Sequence, residues 1–423
     1  YENVEGKQVW DDGADFRHLY SHINACNMIL EETKAFEEMT EEEDVQNVNR
    51  IKGECHFLRG CYYFLLANFY GKPYVASTAE SDPAVPIKTS NYVEDKYYSR
   101  NSVAEVYKQI VTDLLDAEKF LKDVPKKSMW RADINAVRLM LSRVYLYMCL
   151  YEEAEKYAAL VTENGPQLED LNSFSGKEFL STNLSELIFS TGASSLPGNV
   201  TFYSRNDGTE PGFVSGNDMR ISNELYEAYN PRNPIDLRLQ YFVLDYDGSI
   251  RYRKLQGETF QTTDLSDVFL MRTAEAWLNL AEAAACAGDE PTARKALNTL
   301  REKRIKREFF DESEVNGLTG ENLVQFIREE RRRELCLEGH RWFDLRRYRV
   351  AEKYPQEVTV EHVYVNKTYN SSTYEYETLW IRKFVLTTDD PAWVMPLPKA
   401  EIDKNTGMLD NPRNERGYED VNN

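Results

Sequence analysis

The chain has 423 residues, enough to bury a large core in one domain or several. Its 51 Lys and Arg stand against 71 Asp and Glu, and the resulting formal charge of -20 argues against nucleic acid or anionic lipid as a partner. No apolar run approaches the roughly 18 residues of a membrane-spanning helix, and 27 Tyr, 19 Phe and 6 Trp give aromatic rings for a core or a recognition surface.

Phe16, Leu19, Tyr20, Ile23, Cys26 and Leu30 recur at helical spacing and predict a helix over 16–36. Val48, Ile51, Cys55, Leu58, Tyr62, Leu65 and Phe69 form one face of a second helix, which Phe57, Cys61 and Phe64 widen and Gly71 with Pro73 ends. These two read as an antiparallel pair. Ser102 and Glu105 stand in capping-box spacing at the head of a helix carrying Val106, Ile110, Leu114 and Leu121. The next pair starts near Asp133, with Val137, Met140, Leu141 and Val144 on one helix and Ala154, Tyr157, Ala158 and Val161 on the other, until Asn164-Gly165-Pro166 stops it.

Residues 166–263 lose the helical period and become rich in Gly, Ser, Asn, Pro and Tyr, with a hairpin predicted from 239–246 and 249–255 around Asp247-Gly248. A third helix pair covers 267–287 and 291–304, separated by Gly288 and opened again by Pro291. A last long helix runs from Glu321 to Glu338 and stops at Gly339, and residues 356–398 read as loops with short strands. Cys26, Cys55, Cys61, Cys149, Cys286 and Cys336 all fall in predicted helices without zinc-like spacing, which favours buried thiols over a disulfide framework.

Helix pairs of about 34 residues with small side chains at their contacts are the mark of tetratricopeptide-type repeats. The expected fold class is therefore mainly α: a tetratricopeptide-like helix-pair scaffold, an alpha-alpha superhelix, with an irregular loop-rich lobe and short hairpins. In a single domain over 1–423, the scaffold takes 14–165 and 264–350, the irregular lobe 166–263, and a loop and short-strand region 351–423.

Several segments resemble one family. Phe16-Arg17-His18-Leu19-Tyr20 with Ile23 and Asn27, and Gly53-Glu54-Cys55-His56-Phe57-Leu58-Arg59-Gly60, resemble the first helix pair of SusD/RagB proteins. Ala274-Glu275-Ala276-Trp277-Leu278-Asn279-Leu280-Ala281-Glu282-Ala283 with Leu297-Asn298 and Arg301 is similar to the family's third repeat. Glu330-Arg331-Arg332-Arg333-Glu334-Leu335, Glu338-Gly339-His340-Arg341-Trp342-Phe343-Asp344 and Pro396-Leu397-Pro398 follow in family order. The end departs from it, reading Asn411-Pro412-Arg413-Asn414 where the family carries a Gln-Asn-Pro-Gly-Tyr-like close.

The resemblance implies a non-enzymatic, lipid-anchored protein facing outward from a Bacteroidetes outer membrane. It would capture oligosaccharide and deliver it to a SusC-like TonB-dependent transporter; in the RagB branch the cargo is peptide. Family members open with a lipoprotein signal and a lipidated Cys, and this anchor segment is expected to be absent from the sequence as given. From a different class, a repeat-protein adaptor with a concave helical surface would bind a protein partner.

Sugar capture needs flat apolar faces beside hydrogen-bonding groups, placed on loops. Trp10, Tyr203, Asn206, Asp207, Phe213 and Tyr74 are the candidate ligand residues, with Tyr374 and Tyr376 weaker ones. The Arg/Glu run from Arg328 to Arg349 is read as a scaffold network, His18 and His22 as surface or packing residues, and the acidic run Glu41 to Asp44 as solvated charge. His340 lacks a nucleophile motif nearby in sequence, and no carboxylate pair marks a hydrolase. No cofactor, metal or nucleic acid is expected.

Overall fold

The computed structural model describes residues 13–36, 38–176, 178–192, 221–246, 249–252, 254 and 270–421. In chain order the helices and strands are α1 (Ala14–Glu32), α2 (Glu42–Tyr70), α3 (Val103–Leu121), α4 (Ile134–Tyr147), α5 (Tyr151–Asn164), β1 (Leu187–Phe189), α6 (Asn223–Glu227), α7 (Arg238–Phe242), β2 (Val243–Tyr246) and β3 (Ser249–Tyr252). They continue with β4 (Met271–Arg272), α8 (Thr273–Ala287), α9 (Glu290–Glu302), α10 (Ser313–Asn316), α11 (Gly320–Glu334), α12 (Arg341–Arg349), β5 (Val360–Asn370), β6 (Glu375–Leu386), α13 (Lys399–Lys404) and β7 (Glu419–Asp420). The chain is mainly α and forms two compact units: residues 1–31, 58–110 and 345–423 in the first, 32–57 and 111–344 in the second.

In the first unit, α1 buries Phe16, Leu19, Ile23 and Cys26 of the six residues its period singles out, and leaves Tyr20 and Leu30 half-buried. The segment after α2 is strapped down by side chains of the two helices. Tyr20 Oη donates to the Pro86 carbonyl (2.6 Å), Tyr63 Oη to that of Lys88 (2.8 Å), and Asn27 Nδ2 to those of Lys88 (3.1 Å) and Ser90 (3.2 Å). Arg59 donates in turn to Asn27 Oδ1 (2.7 Å), so this buried asparagine orders a loop instead of lying idle in the core.

The carbonyls that end a helix have no partner within it and carry its negative dipole end. At the end of α2 they are met by cations. Arg346 donates to the Asn68 carbonyl and, at 2.5 Å, to that of Gly71, while Arg100 (2.8 Å) and Asn411 (2.9 Å) both donate to that of Tyr70.

The capping box of α3 is present in both halves: Glu105 N–H donates to Ser102 Oγ (3.1 Å) and Ser102 N–H to the Glu105 carboxylate (2.8 Å). Ser102→Ala should cost about 1 kcal/mol of stability, read as a shift of the urea midpoint. An unchanged midpoint would mean that the box contributes nothing here.

Residues 356–398 correct the expectation of short strands. β5 and β6 form a long antiparallel hairpin with the short β7 added beside β6. Val363, Tyr364, Val365 and Leu379 are all exposed, so neither face of the hairpin is a core face. The hydrophobic contrast that marks a half-buried strand is therefore missing from the sequence.

The second unit is organised around α8, of whose 15 residues 13 are buried. Its alanines let α4, α5, α9 and α11 all pack against it. Gly288, at φ 101°, closes it in the left-handed conformation that costs glycine least. Gly53 on α2 marks a similar close approach, because a Cβ there would lie 2.5 Å from Cγ of Leu121 on α3.

Three boundaries in this unit differ from the sequence reading. The helix expected from Asp267 begins only at Thr273, since Met271 and Arg272 are drawn into pairing with β1 and Thr273 N–H donates to the Glu186 carbonyl (2.9 Å). The hairpin around Asp247-Gly248 has the four-residue strands β2 and β3, residues 239–242 being helical in α7. The helix expected to reach Glu338 stops at Glu334, because Arg272 and Lys254 each take the Glu334 carbonyl at 2.7 Å and Leu337 turns to φ 58°. The six cysteines are thiols, five of them buried and Cys149 half-buried.

Candidate functional site

The Arg/Glu run on α11 lies at the centre of a buried charge network in the second unit. Arg272 donates to Glu186 (2.6 Å), Glu334 (2.5 Å) and Glu338 (2.8 Å). Arg304 reaches Glu186 (2.8 Å) and Glu334 (3.0 Å), Lys254 reaches Glu338 (2.5 Å), and Arg238 bridges Asp236 (2.7 Å) and Glu334 (3.1 Å). Glu330 is paired with Arg238 (2.7 Å), Arg333 (2.7 Å) and Arg301 (3.3 Å). Burial opposes ionisation of Glu330, Glu334 and Glu338, yet the surrounding guanidinium and ammonium charges outweigh it and hold all three carboxyls below their ordinary range.

A second set of contacts ties α8 to its neighbours. Arg143 and Glu275 form a forked pair at 2.6 Å, while Arg331 donates to Asn279 (2.7 Å) and Asp344 (2.8 Å). Burial and the nearby Arg143, Arg331, Arg272 and Lys254 charges push the His340 imidazole well down, so it is neutral near pH 7. Apart from the half-buried Arg333, these groups are buried among fixed partners, an arrangement that positions helices. Among the described residues, no group of three His, Cys, Asp or Glu side chains is placed to hold a metal ion. His18 and His22 are exposed on α1, and the His22 ring stacks on Tyr62 at 5.2 Å.

Of the candidate ligand residues, Trp10, Tyr203, Asn206, Asp207 and Phe213 lie outside the described residues. Tyr74 is half-buried in the first unit, its ring edge-on to buried Tyr107 at 5.3 Å, so it covers core. Tyr374 is 79% exposed at the hairpin tip.

The described surface of the second unit offers a platform that the sequence reading missed. Trp130, in the turn between α3 and α4, leaves 39% of its surface exposed. The turn is held in place by Ser190 N–H donating to the Met129 carbonyl (3.0 Å) and Lys126 Nζ donating to that of Ile188 (2.7 Å). A Cβ on Gly192 would stand 4.0 Å from the indole, so bare backbone runs close beside one part of the ring. Next to it, Arg131 donates through Nε (2.9 Å) and Nη2 to the Glu54 carboxylate, and its other terminal nitrogen has no partner among the described residues.

A flat apolar ring, adjacent in the chain to a fixed guanidinium–carboxylate pair, presents the two chemistries that a sugar ring requires. The available signal was a Trp in the polar turn Lys126-Lys127-Ser128-Met129-Trp130-Arg131, the same logic that selected Trp10. A cleft of about 470 Å³, lined by Arg294, Lys295, Asn298, Glu302 and Glu312, has no aromatic ring in its lining.

The model of the SusD family matches residues 160–418, more than half of the chain. The chain belongs to the SusD family. A second family model, described as starch-binding and associating with the outer membrane, matches residues 3–146, and the protein is accordingly an outer-membrane component.

Among solved structures, a putative sugar binding protein from Bacteroides vulgatus is 26% identical, with 97% of this chain and 87% of that one covered at a TM-score of 0.74. A SusD superfamily protein from Bacteroides thetaiotaomicron is 23% identical over 94% of this chain and 85% of that one, TM-score 0.71. A laminarin binding SusD-like protein is 20% identical over 94% and 85%, TM-score 0.60. The last two likenesses show the fold, a tetratricopeptide-like helix-pair scaffold, as the sequence led us to expect. Comparison with curated proteins gives no match. The SusD-family segments quoted from the sequence coincide with the structure's buried contacts: Asn27 and Arg59 with the loop strap, Glu275 and Asn279 with α4 and α11, and Glu330, Glu334 and Glu338 with the charge network.

Proposed function

We propose that this SusD-family protein binds oligosaccharide without catalysis at the cell surface and delivers it to a SusC-like TonB-dependent transporter, from a lipid tether in the outer membrane. The observation that carries the saccharide is the exposed Trp130, followed in the chain by the Arg131–Glu54 pair. The starch-binding description of the matched family and the sugar-binding description of the Bacteroides vulgatus structure support the same cargo. The buried carboxylates are each tied to cations in the scaffold, which supports a role without bond breaking. Under this reading the lobe at 166–263 faces the ligand within a single functional domain, with Trp10, Tyr203, Asn206, Asp207 and Phe213 as further contacts.

Titration calorimetry with neutral α-1,4- and β-1,3-linked gluco-oligosaccharides tests the binding. Trp130→Ala should weaken it roughly tenfold, about 1.4 kcal/mol, with an unchanged melting temperature. Binding of peptides and of no saccharide would sink the reading. Retained affinity in the variant would remove Trp130 from the site. Co-purification of the tagged protein with an outer-membrane barrel tests delivery, and recovery of the protein alone would count against it.

A further inference from the structure

The hairpin of the first unit carries a second surface with saccharide-binding chemistry. Cross-strand register puts His362 opposite Phe384, Tyr364 opposite Arg382 and Asn366 opposite Trp380, and residues paired in this way share one face of the sheet. On that face the rings of Tyr364 and Trp380 lie 5.6 Å apart at 41°. The Arg382 guanidinium sits 4.3 Å from the centre of the Trp380 ring and 3.8 Å from that of Tyr418. Its Nε also donates to Asp420 (3.3 Å). Tyr364 is 42% and Tyr418 46% exposed. The other face differs in kind, with Val363, Val365 and Ile381 around a Lys383 that pairs with Glu419 (3.0 Å) and Glu361 (3.7 Å).

We infer that the Tyr364–Trp380–Arg382–Tyr418 face is a second saccharide-binding platform, suited to a neutral, extended gluco-oligosaccharide lying across the strands. The inference rests on the saccharide reading above and adds a site to it. Two rings held by one guanidinium, with Tyr364 packed against the first of them, form a preorganised surface for the C–H faces of successive sugar rings. His362 and Asn366 stand on the same face to meet hydroxyls.

Charge selects the ligand class. Arg382 is matched by Asp420, so the face offers an anion no net attraction, and a chain of charge -20 disfavours polyanionic glycans further. Peptide addition along the free edge of β5 fits less well, because the register shift at Asn366/Lys367 interrupts a regular edge.

The test is calorimetric titration of the whole chain with α-1,4- and β-1,3-linked glucohexaose, comparing the parent with Trp380→Ala, Tyr364→Ala, Trp130→Ala and the Trp130/Trp380 double variant. Tyr364 is exposed, so its variant keeps the question open to an answer even if Trp380→Ala does not fold. The parent should bind about two hexaoses and each hairpin variant about one, with the double variant binding none. Full stoichiometry and affinity in both hairpin variants, with binding reduced by Trp130→Ala, would overturn this platform alone. No saccharide binding by the parent would overturn the functional reading and the platform together. Peptide binding that is lost in the hairpin variants while saccharide binding is untouched would give the face to a peptide and overturn the proposal.

Discussion

Replacing Arg272 with methionine is expected to lower the stability of the protein by about 3–5 kcal/mol, the usual result of removing one partner from a buried ionic network. Methionine keeps much of the volume, so the loss reports charge more than a cavity. Arg272 is 1% exposed and serves Glu186, Glu334 and Glu338 at once, besides donating to the Glu334 carbonyl at 2.7 Å. Its removal leaves a surplus negative charge in the core and a helix end without its donor.

The prediction separates this account from simple packing. Adding Glu338→Gln to Arg272→Met should restore part of the loss, since the surplus charge goes with it, and the coupling between the two sites should be about 1–2 kcal/mol. Urea unfolding of the four species measures both quantities. Strictly additive losses would mean that the two groups do not interact as described.

Acid should destabilise the protein in two stages. His340 is held neutral by burial and by the surrounding cations, so below its ordinary pKa of about 6.5 the unfolded state binds a proton that the folded state refuses. Its contribution is complete above that pH and falls as pH drops through the window beneath it. Glu330, Glu334 and Glu338 have folded-state pKa values below the unfolded one, so their contribution is present above about 4.3 and is lost as pH falls towards the folded values.

Both effects have the same sign. Each group whose protonation differs between the two states adds a slope of about 1.4 kcal/mol per pH unit, so stability should fall gently from pH 6.5 and much more steeply below about 4.3. Urea midpoints measured from pH 8 to pH 3 test this. A midpoint that stays flat down to pH 3 would contradict the network's electrostatics.

The helical part of the fold is legible because its amphipathic period and its punctuation agree. Phe16, Leu19 and Ile23 point inward on α1 as spaced, Asp133 caps α4 by accepting from Ala136 N–H (2.9 Å), and Gly288 closes α8. Boundaries set by distant residues were not legible. Nothing local in Leu335-Cys336-Leu337 shows that Lys254 and Arg272 will take the carbonyl of Glu334, or that Arg272 will pair as a strand before Thr273. The β5–β6 hairpin was read too short for another reason: with both faces exposed, period-two alternation carries no inside–outside contrast.

The site was less legible than the scaffold. The reasoning that selected Trp10 applied equally to Trp130, whose exposure, with Gly192 beside the ring, is seen only in the structure. The hairpin platform depends on cross-strand register, which brings Tyr364 to Arg382 and is invisible in a linear chain.

The cap on the end of α2 has a consequence for how the chain is made. Arg100, Arg346 and Asn411 converge there from widely separated positions, and the first unit is assembled from residues 1–31, 58–110 and 345–423. A nascent chain therefore carries α2 for more than three hundred residues of synthesis before Asn411 exists to close its end. The second unit draws instead on near-contiguous sequence, so it has the shorter loops to close and should order first. A chain stopped short of Asn411 would lose more than a tail, because the end of α2 would remain without one of its hydrogen-bond donors.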